Sequence, residues 1–266
     1  MFKDITLGQY FPGESFVHRL DPRVKIYGLF VFLICVFIVN NLLMYIPLAF
    51  ILWGVTYNAK IPVKLLLKGI KSLRFIIILT FLINIFATPG EVLLKFWIFN
   101  ITREGIYFAS FMGLRLIFLV TSSSLLTLTT SPIALTDGLE SIMKPLSKIG
   151  FPSHQLAMMM TIALRFIPTL FDEATKIMKS QSARGADFES GNIFKRAKNL
   201  VPLLVPLFIN SFRRADELAT AMEARCYHGG EGRTRLNELH FDKKDYVTML
   251  LMTLFLAGYI VERVLL

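Results

Sequence analysis

The stretch 106-IYFASFMGLRLIFLVTSSSLLTLTT-130 carries a single charged side chain, Arg115. As a helix it is long enough to cross the roughly 30 Å hydrocarbon core of a bilayer, which takes about 20 apolar residues. The rest of the chain agrees with it. Of 266 residues, 54% are hydrophobic, 24 are Phe and only 18% are charged, and the mean hydropathy is +0.57. That is more apolar surface than a soluble domain of this length can hide, so the chain reads as an integral membrane protein.

Other apolar runs lie on either side of this one. Ile26–Asn40 ends at the polar pair Asn40-Asn41, and Leu42–Tyr57 follows at once, which predicts a tight transmembrane hairpin. Phe75–Thr88 is a third span, Ile106–Thr130 the fourth and Tyr246–Val261 the last. The first 25 residues carry Lys3, Asp4, Glu14, His18 and Asp21 and lack the short apolar core of a secretory signal, so the first hydrophobic helix is expected to stay in place. Cys35 and Cys226 are the two cysteines, far apart in sequence, and imply no disulfide framework.

Lys and Arg orient the spans. Lys3, Arg19, Arg23 and Lys25 precede the first, and Lys60, Lys64, Lys68, Lys71 and Arg74 lie between the second and third. Sixteen basic residues fall in 131–244, whereas the 89–105 loop has only Lys95 and Arg103, balanced by Glu91 and Glu104. With five spans, one orientation gathers every basic segment on the cytoplasmic side: N-terminus inside, C-terminus outside. The same bias explains the net charge of +10 without nucleic acid. Residues 60-KIPVKLLLKGIKSLR-74 space their lysines by three and four among Leu and Ile, which predicts a basic amphipathic helix lying at the inner interface.

Between the fourth and fifth spans the chain is too polar to cross and too apolar to be a linker. Ser131-Pro132 starts a helix expected to run to Lys148, stopped by Gly150-Phe151-Pro152. Ser153 is expected to cap a second, long helix ending at Arg184 with Gly185 in the left-handed conformation. Gly191-Asn192 separates a third, 193–226, which ends before Gly229-Gly230. The two ends read alike, 180-SQSARGADF-188 and 221-AMEARCYHGG-230, with Phe171 and Phe212, and Ala174 and Ala215, in register behind them. One arginine at a helix C-terminus is accounted for by the helix dipole, worth about 0.3–1 kcal/mol. Two arginines, each between small residues (Ala183 and Gly185; Ala224 and Cys226), suit planar guanidinium groups entering two partner grooves. The helix bodies, 156-LAMMMTIALRFIPTLF-171 and 200-LVPLLVPLFINSF-212, are apolar nearly all round. They either pack on each other and dip into the inner leaflet or dock another membrane protein, for which the Met158–Met160 run is adaptable.

These residues, with the opening segment 18-HRLDPRVKI-26, resemble the transmembrane (T) component of energy-coupling factor vitamin transporters over essentially the whole length. The resemblance implies a complex with two ATP-binding-cassette ATPases and a small substrate-binding membrane protein, the S component, with several interchangeable S components. By it, Ala183, Arg184 and Gly185, and Ala224, Arg225 and Cys226, would couple to the ATPases. Met158, Met159, Met160, Leu164, Pro168, Phe171, Pro202, Leu203, Pro206 and Leu207 would carry the S component, which topples to release its vitamin. Cys226 stands where that family has glycine or another small residue. No cofactor is expected on this chain, because ATP and Mg belong to the partner ATPases. The expected fold is all-α: about five transmembrane helices plus two to three long cytoplasmic coupling helices. It divides into an N-terminal membrane region 1–130, a cytoplasmic region 131–242 and a final transmembrane helix 243–266.

Other classes of function lack their residues. No GxxxxGK[ST] loop is present, and His18, His154, His228 and His240 lack metal-ligand spacing. Asp172-Glu173 and Asp216-Glu217 are adjacent helical residues that diverge by about 100° and do not form paired-carboxylate sites. A membrane-embedded enzyme, an intramembrane protease or lipid-modifying transferase, is the alternative reading, but the spans offer it only Arg115 and the run 121-TSSSLLTLTT-130, which serves helix packing. Nucleic-acid binding is disfavoured by twelve acidic residues against the sixteen basic ones in 131–244. For Arg115, a partner or polar pocket and snorkelling to the outer interface are both open.

Overall fold

The computed structural model describes residues 10–96, 99–188, 192–229 and 239–265. Lys3, Asp4, Gly191 and Gly230, used in the sequence reading, lie outside the described residues, as does the side chain of Lys95. The described residues form two compact units, one from Gly8–Gly138 with Leu239–Leu266 and one from Leu139–Glu238.

The first unit is a helical bundle. Helix α1 (Pro22–Ile38) starts where sequence chemistry says it should: Pro22 occupies the first turn, and the Asp21 side chain caps it by accepting from the Arg23 N–H at 2.8 Å. Arg23 returns a bidentate pair, Nε to Oδ1 at 3.0 Å and Nη2 to Oδ2 at 2.9 Å, and lies 3.9 Å over the Phe241 ring. Asp245 accepts from the Asp21 N–H and, as a capping box, from the Asp242 N–H. The LDPR motif therefore joins the starts of α1 and α8 (Lys243–Leu265), with the Asp21 side chain only 3% exposed.

A 3₁₀ turn (Leu42–Met44) leads into α2 (Tyr45–Ala59), then α3 (Val63–Ala87), a hairpin of β1 (Val92–Phe96) and β2 (Phe99–Thr102), and α4 (Arg103–Thr129). The hairpin lies in the 89–105 loop and is the only sheet among the described residues. Segments Leu42–Ala59, Val63–Ala87, Arg103–Thr129 and Lys243–Val264 are long and apolar enough to cross a membrane. Five were expected. Helix α1 has 17 residues and is about 26 Å long, at the lower limit of a span, because Val39 leaves the helix at ψ 131° before Asn40.

The 60–74 segment is not a separate interfacial helix. Nothing between Arg74 and Phe75 breaks the periodicity, so the lysine-bearing turns continue directly into α3, while Lys60 ends α2 at φ 53°. Helix α3 packs on α4, with Gly69 so close to Ser124 that a Cβ there would lie 2.9 Å from its Oγ. Of the Ser/Thr run, Ser124 meets α3, while Thr121, Ser122 and Thr129 are buried and donate back to carbonyls of their own helix.

The core unites Val31, Phe32, Cys35 and Val36 of α1 and its C-cap residue Val39 with Tyr45 and Leu48, Phe111 and Phe118, and Tyr259. Tyr45 stacks on Phe118 and meets Phe111 edge-on. Arg115 resolves into a structural role. Its Nη2 donates to the carbonyls of Phe37 (3.5 Å) and Val39 (3.4 Å), and Arg263 of α8 donates to Ile38 at 2.9 Å. Two cations from different helices thus cap the C-terminal carbonyls of α1, where the helix dipole is negative. Outside this core, α3 and α8 expose Phe75, Ile76, Ile78, Leu250, Leu251 and Leu254, a surface suited to lipid.

The division between the units falls within α5 (Pro132–Met143), which a 3₁₀ turn (Lys144–Ile149) extends to Gly150 at φ 87°. Helices α6 (Ser153–Ala183) and α7 (Ile193–Ala224) form the second unit. Ser153 does not cap α6: Pro152 holds the N-cap position, and Ser153 is already the first helical residue.

Candidate functional site

The two Ala-Arg ends of α6 and α7 are built from the same backbone device. At the first, the N–H of Gly185 bonds to the Ser182 carbonyl at 3.0 Å and that of Ala186 to the Gln181 carbonyl at 3.0 Å. At the second, Cys226 N–H bonds to Glu223 at 2.9 Å and Tyr227 N–H to Met222 at 3.0 Å. Both are Schellman motifs, with Arg184 and Arg225 at the last half-helical position and the next residue left-handed, Gly185 at φ 89° and Cys226 at φ 56°. The small residue after each arginine is thus a requirement of the backbone. Cys226 meets it with strain that glycine does not incur.

Backbone N–H groups satisfy two of the last carbonyls at each end, those of Gln181 and Ser182 at the first and of Met222 and Glu223 at the second. Ala183, Arg184, Gly185, Ala224, Arg225 and Cys226 are all exposed, and neither arginine side chain has a hydrogen-bond or ion-pair partner among the described residues.

The helices that carry the tips run antiparallel. Tyr227 Oη donates to Met158 Sδ at 3.0 Å and stands 3.4 Å from His154 Nε2, both at the start of α6. Midway, Asn210 donates to Glu173 Oε1, and Arg214 Nη2 lies 3.1 Å from Glu173 Oε2, an ion contact without hydrogen-bond alignment. Beyond the end of α6, Asn199 bonds the Asp187 carbonyl. Arg225 therefore lies level with the start of α6 and Arg184 at its far end, a separation of about 40 Å at 1.5 Å per residue. The tips are equivalent in form and placed at opposite ends of one two-helix strut.

The apolar bodies divide into two faces. Met158 is engaged by Tyr227, and Leu203 is buried; Leu164, Phe171, Pro206 and Leu207 are half-buried. Met159, Met160, Pro168 and Pro202 are exposed. A second exposed group on α7 lies within the apolar body read from sequence but outside the docking residues singled out there: Val201, Leu204, Val205, Phe208, Ile209 and Phe212, the last 68% exposed. Their spacing of three and four is the signal that could have found them.

The comparisons with known proteins bear on this arrangement directly. Residues 13–236 match the cobalt transport protein family, CbiQ. The energy-coupling factor transporter transmembrane protein EcfT of Acidaminococcus fermentans is 58% identical over 253 residues, covering 95% of this chain and 94% of that protein. The EcfT protein of Clostridium kluyveri is 54% identical over 266 residues, covering 99% and 98%. The chain belongs to this family. It is a transmembrane component of an energy-coupling factor transporter, and both arginine tips fall within the matched residues. Among the described residues, no group of His, Cys, Asp and Glu is placed to hold a metal ion.

Proposed function

We propose that this chain is the coupling subunit of an energy-coupling factor importer, passing the work of two ATP-binding-cassette ATPases to a vitamin-binding S component. The observation that carries the reading is the pair of exposed, backbone-capped arginine tips about 40 Å apart on one strut. One guanidinium enters each ATPase, and closing of the ATPases moves the two ends of the strut. A pair of long helices has the stiffness such transmission needs. The exposed stripe Val201–Phe212 with Met159 and Met160 takes the S component, in which substrate choice resides.

The chain acts without catalysis and without a bound cofactor; ATP and Mg are held by the partners. The back-bonded hydroxyls of α4 and the capping role of Arg115 support this reading over a membrane enzyme, since neither supplies a reacting group. In the cell membrane, residues 131–242 and the N-terminus face the cytoplasm and the C-terminus lies outside, with 1–130 and 243–266 in the bilayer. That placement follows from the basic residues before α1, at the α2–α3 junction and across 131–244.

Native cysteines supply the test. Cys226 is exposed at the second tip, whereas Cys35 is 0% exposed. A fluorescent maleimide applied to the folded protein is expected to label Cys226 alone, and addition of the two ATPases is expected to protect it at least tenfold. Unchanged labelling in the presence of bound ATPases would refute docking at that tip.

A further inference from the structure

The two tips share a backbone but not the residue that follows it, and we propose that Tyr227 is a positioning residue that fastens the Arg225 tip to the junction of α5 and α6. Displacement of the second tip by its ATPase is thereby delivered to that junction. This rests on the coupling function proposed above and gives the Arg225 tip a side-chain route to the junction, whereas the Arg184 tip reaches it only along the length of α6.

The argument begins at the position after each left-handed residue. At the first tip it is Ala186, whose methyl can make no polar contact; at the second it is Tyr227. The Tyr227 N–H is locked to the Met222 carbonyl at 3.0 Å, so the residue moves with the end of α7. Its hydroxyl donates to Met158 Sδ at 3.0 Å and lies 3.4 Å from His154 Nε2. His154 Nδ1 is in turn 3.0 Å from Glu140 Oε1. Glu140 belongs to α5, while His154 and Met158 form the first turns of α6.

Burial gives these contacts weight. The His154 and Glu140 side chains are 25% and 15% exposed, so their contact is less screened than a surface pair. With Nδ1–H donated to Glu140, Nε2 is an acceptor and shares the one Tyr227 hydroxyl proton with Met158 Sδ. Arg225 and Tyr227 are two residues apart in a turn closed by three backbone bonds. A displacement of the capped end of α7 therefore reaches Glu140 through the Tyr227 hydroxyl and the imidazole.

The experiment uses the complex of the full chain with its two ATPases and compares amide hydrogen exchange with and without the Mg salt of a non-hydrolysable ATP analogue. In the wild type, exchange is expected to change at least threefold both at 222–229 and at 139–158. In Tyr227→Phe, which keeps the ring and loses only the hydroxyl, the change at 222–229 persists and that at 139–158 is lost. Glu140→Gln retains an acceptor for Nδ1–H and keeps the response, whereas Glu140→Ala loses it, which guards against a folding defect in the tyrosine variant. A wild-type response at 139–158 in both Tyr227→Phe and Glu140→Ala would overturn the proposal, as would a wild type that responds only at 222–229. Failure of the wild type to bind the ATPases at all would instead overturn the coupling function on which it rests.

Discussion

Reversing the charge at Arg184 and Arg225, singly and together, exploits the separation of the tips. A guanidinium docked in a groove and replaced by a carboxylate leaves the partner's acidic group unpaired and repelled, a loss of about 3–5 kcal/mol. The tips stand about 40 Å apart, and residues so far apart contribute additively to within about 0.5 kcal/mol. Each single variant should therefore weaken association by about 10²–10⁴-fold. The double variant should lose about 6–10 kcal/mol, beyond about 10⁴-fold. Binding of the purified ATPase pair to the detergent-solubilised chain, followed by fluorescence anisotropy, measures all three. A double variant no weaker than either single one would show that the tips do not act as independent sites, and singles at wild-type affinity would remove the arginines from docking altogether.

Further consequences are local. Cys226→Gly relieves a left-handed residue and should stabilise the protein by about 0.5–1 kcal/mol, while Gly185→Ala should cost about 1–2 kcal/mol; thermal scans in detergent would give opposite shifts, and shifts of the same sign would contradict the cap geometry. Arg23→Ala leaves the Asp21 carboxylate buried without its cation and should lower stability by about 3–5 kcal/mol. Arg23→Ala melting at the wild-type temperature would rule out a structural role for the LDPR motif. Arg115→Met keeps the apolar stem but removes a cap on α1, at about 1 kcal/mol, so faster amide exchange at residues 35–39 is expected, and unchanged exchange there would dismiss the capping role.

Much of the fold was legible because its signals are one-dimensional. Apolar length marked the spans, and proline and glycine marked the breaks at 150–152 and 185. The chemistry of LDPR showed only as a pattern, since its partners, Asp245 and Phe241, lie more than 200 residues away. Helix α3 was split in the reading because a change of composition at Arg74 resembles a boundary, yet helices end for want of hydrogen bonds or at Gly and Pro, not at a change of polarity. At the site, the repeated Ala-Arg ends and the left-handed turn at Gly185 were visible in sequence, but the same turn at Cys226 was not, because only glycine advertises that conformation. The antiparallel partnering of α6 and α7 could not be read, because it rests on Tyr227, Glu173 and Asn210, polar residues without any period.

The central claim is that this chain works only as part of an assembly, and its own membrane offers the most direct test. Gentle solubilisation, capture of the chain and mass spectrometry of what accompanies it should return two ATP-binding-cassette ATPases and a small hydrophobic membrane protein, whose identity would name the substrate. Recovery of the chain alone, in a detergent that keeps other membrane complexes intact, would contradict the account.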